Sequence, residues 1–398
     1  MHEQELIPHL FRTEFGKISS VLSKLFGIEH IETAEDIASE TFLAALETWT
    51  YKGLPENPTA WLYIVAKNKT KNYLRRNRIF SDKIIVELKH NTISNFEIDL
   101  SEKNSTDSLL QMLFTICHPV ISPEAQIGLS LRILCGFGVD EIATAFLTNK
   151  ETINKRLFRA KQKLREEKVQ IEFPSKQEID KRLNAVLTTL YLLFSEGYYS
   201  ENKEDVIREE LCAEAMRLTF LLMQNEQTNQ PQVNALYALM CFHSSRFAAR
   251  KNNSGEMILY QQQNEKLWDR ELISKGAFYL NKASVGNKIS KYHLEATIAY
   301  WHTVKADTKE KWENILQLYN QLLQIEYSPI AALNRTFALS KTNGTKEAIK
   351  EAEKLNLEGN QFYFSLLGEL YSKIDKEKAR AYFTKAIRLA RTDANRRT

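Results

Sequence analysis

Gly and Pro are so sparse in this chain, 13 and 8 among 398 residues, that long helices are the architecture it tolerates best. Many-turned β folds need more turn-forming residues than this. Apolar residues recur at spacings of three and four over most of the length, and strand-like alternation is scarce. Asn343-Gly344 could close a hairpin, but helical patterns flank it, so it reads as a helix–helix turn. The expected fold class is all-α. At this length two or three domains are expected rather than one core.

Composition divides the chain further. Residues 1–80 read as three helices, and Ser81–Thr106 is polar and weakly periodic, as a linker would be. Residues 107–170 regain helical periodicity. After a break at Phe173-Pro174-Ser175, residues 176–398 read as helices joined by short polar loops.

A net charge of +4 says little, but its distribution says more. From Glu29 to Glu47 there are six acidic residues and no Lys or Arg. Between Trp61 and Phe80 stand six basic residues and no acid, and between Lys150 and Arg165 seven basic residues face Glu151 alone. One such run is usually a solvated helix face. Two of them, separated by a linker, suit the phosphate backbone of a nucleic acid.

The second basic run lies in a two-helix pattern. Asp140 is the expected N-cap of a short helix with Ile142 and Phe146 on its inner face and Ala143 allowing a close crossing. Leu147 stands where such turns usually have Gly. A second helix is expected from about Lys150 to Arg165, with Ile153, Leu157, Ala160 and Leu164 forming one apolar stripe. Its other side offers Lys150, Thr152, Asn154, Lys155, Arg156, Arg159 and Lys163 to base edges and phosphates. An ordinary αα-hairpin packs the same way, so the pattern alone leaves both readings open.

Covalent chemistry finds no residues to carry it. Cys117, Cys135, Cys212 and Cys241 form no CxxC pair, and Cys117-His118 would need at least two further ligands to hold zinc. Residues 176–390 contain no phosphate loop, no HExxH and no clustered His or Asp pair. The expectation is a protein that is not an enzyme, with no cofactor and no metal. The N-terminus lacks a signal-peptide core, and no run reaches the roughly 18 apolar residues that span a bilayer, so a cytoplasmic protein away from membranes is expected.

The motifs, in order, resemble one family. Ala34-Glu35-Asp36-Ile37-Ala38-Ser39-Glu40-Thr41-Phe42-Leu43 is similar to the part of region 2 of extracytoplasmic-function sigma factors that grips core RNA polymerase. Asn57-Pro58-Thr59-Ala60-Trp61-Leu62-Tyr63-Ile64, continuing to Arg75-Arg76, looks like the segment that melts and reads the −10 element. Glu141-Ile142-Ala143, Thr152-Ile153 and Arg156-Leu157-Phe158-Arg159-Ala160-Lys161 resemble region 4, the helix-turn-helix that reads the −35 element. Phe114 to Pro119, Ser122 to Gln126 and Leu190 to Tyr198 are similar to a subgroup with a long, tetratricopeptide-like extension. Leu367-Gly368, Tyr371, Ala379, Phe383 and Ala386 follow the repeat pattern, and Asn334, Ala338, Ala348 and Leu355 follow it more weakly. Asn72 departs from the family's usual Asp, and the stretch 261–270 is less acidic than in the subgroup.

The resemblance implies two small helical sigma domains, the second with a helix-turn-helix, and a tetratricopeptide-like domain behind them. It implies a sigma factor that directs core RNA polymerase to promoter DNA, with the extension regulating it in cis or docking a protein signalling partner. Glu35, Asp36, Glu40, Phe42 and Leu43 would contact the polymerase, acidic groups beside an apolar patch. Tyr51, Asn57, Trp61, Asn68, Asn72, Arg75 and Arg76 would hold the melted −10 strand, since aromatics and cations track single-stranded DNA. Trp61 serves equally well as a core anchor. The aromatic group Tyr191, Phe194, Tyr198 and Tyr199 is either a hinge contact or buried core. A helical scaffold that binds protein partners and never touches DNA is the alternative, at the cost of leaving both basic helices unexplained.

Overall fold

The computed structural model describes residues 3–76, 98–146, 148–199, 205–250, 258–372 and 374–390. It is 77% helical, with eighteen helices and no strand among the described residues. The chain divides into two compact units, Met1–Glu196 and Gly197–Thr398. Leu147 and the 81–97 part of the expected linker lie outside the described residues.

Three helices open the first unit: α1 (Glu3–Phe26), α2 (Ile31–Lys52) and α3 (Pro58–Arg76). Each buries one stripe. Phe15, Ile18 and Leu22 face Ala34, Ile37, Ala38, Phe42, Ala45 and Trp49, with Leu62 and Ala66 closing the core. Pro58 occupies the first turn of α3, and the Asn57 side-chain carbonyl accepts the Ala60 N–H at 3.0 Å. Ile98 and Leu100 are buried in the same core, and α4 (Glu102–Ile116) starts from a Ser101 cap. The end of the expected linker is therefore ordered: two alternating apolar residues and a Ser cap outweigh its polar composition.

Ser122 caps α5 (Pro123–Leu129), which runs into a π-helical turn at Ser130–Leu134. Gly16 of α1 lies against this turn, where a Cβ would collide with the Leu134 carbonyl oxygen. Only glycine permits that approach. Beyond it come α6 (Val139–Ala145) and α7 (Lys150–Glu166).

Then α8 (Ile179–Tyr199) begins, and most of it belongs to the first unit. Leu183, Val186, Leu187, Leu190, Leu193 and Phe194 are buried. The Arg182 guanidinium donates to the Phe114 carbonyl at 2.6 Å, and the Thr189 hydroxyl donates to Gln126 Oε1 at 2.7 Å. Gln126 Nε2 in turn donates to the His118 and Ile121 carbonyls, which makes Cys117-His118-Pro119 a braced corner. No metal-binding group of His, Cys, Asp or Glu occurs among the described residues. The compact unit thus runs past the junction expected near residue 176.

The second unit contains α9 (Asp205–Met223), α10 (Pro231–Ser244), α11 (Phe247–Arg250), α12 (Arg270–Ala283), α13 (Lys291–Trp301), α14 (Lys309–Ile325), α15 (Pro329–Thr342), α16 (Thr345–Leu355), α17 (Gln361–Tyr371) and α18 (Lys376–Leu389). Neighbouring helices share cores: Leu294, Ile298, Trp312, Ile315 and Ala338 in one, and Ala348, Ala352, Leu367, Tyr371, Ala379 and Ala386 in the next. A Cβ on Gly368 would meet the Phe383 ring at 2.7 Å, so that glycine sets how closely α17 and α18 pack. Tyr198 is buried under the Arg250 guanidinium, 3.8 Å above its ring, and Phe194 is buried as well. For these two the core reading holds, and the side chain of Tyr199 lies outside the described residues.

Candidate nucleic-acid interface

The pair α6–α7 begins at the sequence's own caps. Gly138, not Asp140, starts α6: the Glu141 carboxylate reaches back to accept the Gly138 N–H at 2.6 Å. Asp140 instead sits in the first turn and pairs with Lys150 at 2.8 Å. Asn149 caps α7, its side chain accepting the Thr152 N–H at 2.8 Å. Ile142 and Ala143 are buried, with Phe146 half-buried, and Ile153, Leu157, Ala160 and Leu164 are all buried as the periodicity requires. Lys150, Thr152, Asn154, Lys155, Arg159 and Lys163 are exposed and Arg156 is half-exposed, so the basic face is open to solvent. Glu151 lies 3.9 Å from Lys155 and neutralises little of it.

On α3, Asn68, Asn72, Arg75 and Arg76 are exposed along one side, and the Arg75 guanidinium hydrogen-bonds the Asn72 side chain. Tyr51 is 88% exposed at the end of α2, where Gly53 (φ +77°) turns the chain. Asn57 is exposed, but its carbonyl is committed to capping α3. Trp61 packs edge-on against Trp49 with ring centroids 5.3 Å apart and lies against the first core, so the anchor reading is the one its surroundings favour. Tyr63 donates to Glu14 Oε2 at 2.5 Å, and burial together with that carboxylate pushes its phenol above its ordinary pKa.

The acidic helix needs correction. Asp36, Glu40 and Leu43 are exposed as expected, and Glu40 pairs with Lys69 at 2.9 Å. Phe42 is 2% exposed and belongs to the core, because it continues the Ala38–Phe42–Ala45 stripe. Glu35 is 4% exposed: its carboxylate forms an ion pair with Lys161 of α7 and lies 3.2 Å from Arg132 Nε. One turn earlier, Glu32 pairs with Arg165 and lies 3.8 Å from Lys161. Burial opposes ionisation of Glu32, yet the Arg165 hydrogen bond and the Lys161 charge hold its pKa below the usual carboxylate range. Arg12 of α1 adds a 2.9 Å pair with Glu141 and stacks 3.8 Å over the Phe137 ring. None of this network was legible locally, since Lys161 and Glu35 are 126 residues apart in sequence.

Known proteins match in both halves. Residues 10–79 match the family described as Sigma-70 region 2, and residues 182–284 match a family of unknown function, DUF6596. An uncharacterised Rhizobium meliloti protein, R00370, is 32% identical over 370 residues, covering 91% of this chain and 87% of that protein. The ECF RNA polymerase sigma factor BldN of Streptomyces coelicolor is 31% identical over 135 residues, 32% of this chain and 48% of BldN. No solved structure matches. Among the described residues no helix is long and apolar enough to cross a membrane. With the region 2 match on α1–α3, the kinship to BldN and a full-length relative that shares the long tail, the chain belongs to the extracytoplasmic-function branch of the sigma-70 family, in a form with a C-terminal extension.

Proposed function

We propose that this protein recruits core RNA polymerase to specific promoters, reading the −35 element with α6–α7 as a helix-turn-helix and the −10 element with α3 and the loop before it. The observation that carries this reading is the open basic face of α7, from Lys150 to Lys163, on a helix whose opposite stripe is fully buried. A helix so divided fits a major groove, its side chains reaching base edges and phosphates. The exposed cations and amides of α3 supply a second, separate DNA contact. Asp36, Glu40 and Leu43 offer the polymerase an acidic surface beside an apolar side chain. The second unit's stacked helices form a protein-docking or cis-regulatory module in the cytoplasm.

Transcription in vitro tests the reading. Purified full-length protein added to core enzyme on a template carrying its promoters should give discrete transcripts that core alone does not make. Failure both to bind core enzyme and to raise promoter-dependent transcription would remove it.

A further inference from the structure

The second unit holds a cavity of about 120 Å³ lined by His302, Trp312, Tyr319, Asn334 and Phe337. We propose that it binds a small aromatic carboxylate, the ring taken by Trp312 and Phe337 and the charged end by Lys341. Two observations carry it, neither dependent on DNA binding.

The first is the make-up of the walls. His302 follows α13, Trp312 and Tyr319 belong to α14, and Asn334 and Phe337 belong to α15. Trp312 meets the His302 ring at 6.0 Å and the Phe337 ring at 5.4 Å between centroids, edge-on in both cases. An apolar cavity of roughly 150 Å³ takes up benzene, so this space suits one aromatic ring and little more. Its polar atoms are few. The Tyr319 hydroxyl lies beside the Asn334 amide, and Trp312 Nε1 is committed to Asp307. The His302 ring leaves Nδ1 without a hydrogen-bond partner. Burial and the Arg246 and Lys311 charges keep that ring neutral, so it can offer a hydrogen bond without adding charge.

The second is an excess of cations. Lys341 Nζ lies 5.7 Å from the centroids of both Trp312 and Phe337, and Lys311 Nζ lies 5.6 Å from that of Trp312. Behind His302 stands Tyr260, with the Arg246 guanidinium 5.7 Å from its ring centroid. Arg246 and Lys311 are 7% and 1% exposed, yet neither forms an ion pair among the described residues. Arg246 donates to the Tyr198 hydroxyl at 3.3 Å and leaves Nε unpartnered. Lys311 donates to the Tyr260 hydroxyl at 3.0 Å. Against these three cations stands Asp307, which pairs with Lys341 at 3.2 Å, while Glu265 near Tyr260 is exposed. Buried cations are ordinarily matched by anions. A cavity walled by rings and surrounded by unmatched cations favours a ligand that is both aromatic and anionic.

Benzoate is the probe, titrated into the full-length protein and followed by ligand-observed NMR. The native chain should bind it saturably, with a dissociation constant below about 1 mM. Benzyl alcohol keeps the ring without the charge, and acetate keeps the charge without the ring. Each should bind at least about tenfold more weakly than benzoate, since a charge-assisted contact or a buried ring is lost. Two substitutions should act in opposite directions. Lys341→Met keeps the apolar stem and should weaken benzoate by about tenfold or more. Asp307→Asn keeps an acceptor for Trp312 Nε1 but releases Lys341, and should tighten benzoate by about threefold, the scale of one exposed ion pair. No saturable binding of benzoate by the native chain overturns the proposal. Benzyl alcohol binding as tightly as benzoate would reduce the site to an apolar void, and acetate doing so would show that the cavity takes no part; either result also overturns it. So does unchanged benzoate affinity in both variants with unchanged circular dichroism. The ligand series needs the native chain alone, so a variant that fails to fold leaves the proposal open to refutation.

Discussion

Lys161 of α7 and Glu35 of α2 form a buried ion pair, with Arg132 on the other carboxylate oxygen at 3.2 Å. Removing one partner from such a group leaves charge buried and uncompensated, which typically costs 3–5 kcal/mol, or about 3 here because two cations can partly relax. Glu40 and Lys69 form a pair of similar length, 2.9 Å, but the Glu40 side chain is 60% exposed. Exposed pairs contribute at most about 1 kcal/mol. Denaturant titration of the first unit should therefore show Glu35→Ala lowering stability several times more than Glu40→Ala. Equal small effects would mean that the Glu35 carboxylate is solvated in the native state.

The open face of α7 makes a separable prediction for DNA. Arg159→Ala and Lys155→Ala should each weaken binding to a −35-containing duplex without changing the unfolding midpoint, since both side chains stand in solvent. A lost base contact costs about 1–3 kcal/mol and depends on sequence, while a lost phosphate contact lowers the salt slope by about 0.9. Comparing specific and mutated duplexes across a salt series tells which each residue makes. Unchanged affinity for both variants would remove α7 as the reading helix.

The elements of this fold were legible because its helices obey local rules: Ile153, Leu157, Ala160 and Leu164 appear as a stripe in the sequence and as a buried stripe in the structure. Asp140 was misread because the cap of α6 comes from Glu141 reaching back to a glycine N–H, and Asp at N2 looks identical in sequence. Phe42 was misread because a periodic acidic helix has both a wet face and a dry one, and adjacency to Leu43 in sequence places the two about 100° apart. The pairing of Glu35 with Lys161, and of Glu32 with Arg165, could not be read at all. Partners so distant in sequence leave no spacing to detect, and each residue alone looks like a solvated charge.

Trp61 and Tyr51 part company by the same reasoning. Trp61 touches Trp49 and the first core, so Trp61→Ala should lower the stability of the first unit by about 2 kcal/mol, less than for a fully buried ring. Tyr51→Ala removes an 88% exposed ring and should leave stability unchanged while slowing promoter opening, which permanganate footprinting of unpaired thymines reads directly. A stability loss with Tyr51→Ala, or none with Trp61→Ala, would reverse these assignments.

Buried histidine sets a pH dependence in the second unit. His302 is pushed down to about 3 by desolvation first and then by the Arg246 and Lys311 charges, and its ring lies edge-on to Tyr260 and Trp312. The unfolded chain binds the proton near pH 6.5 and the folded one only near 3, so His302 stabilises fully above pH 6.5 and this stability is lost as pH falls toward 3. By pH 4.5 the loss from this group should be about 3 kcal/mol. Urea midpoints measured from pH 7.5 to 4.5 should fall less steeply for His302→Asn than for the native chain. Parallel curves would show that the ring protonates in place.

Truncation separates the two units only if the cut respects α8. Ending the chain near residue 172 deletes Leu183, Val186, Leu187, Leu190 and Leu193, and with them the Arg182–Phe114 and Thr189–Gln126 hydrogen bonds that brace the corner at His118. Each buried leucine lost costs about 2–5 kcal/mol, so these four, with Val186 besides, match or exceed the whole stability of an ordinary domain. That fragment should be insoluble or molten, and its failure to drive transcription would say nothing about regulation. Ending the chain at Tyr199 keeps the first unit whole, Met1–Glu196, and should give a cooperative unfolding transition by calorimetry. Only this longer fragment, compared with the full chain for promoter activity, measures what the second unit does. Cooperative unfolding of the 172-residue fragment would show that α8 belongs energetically to the extension instead.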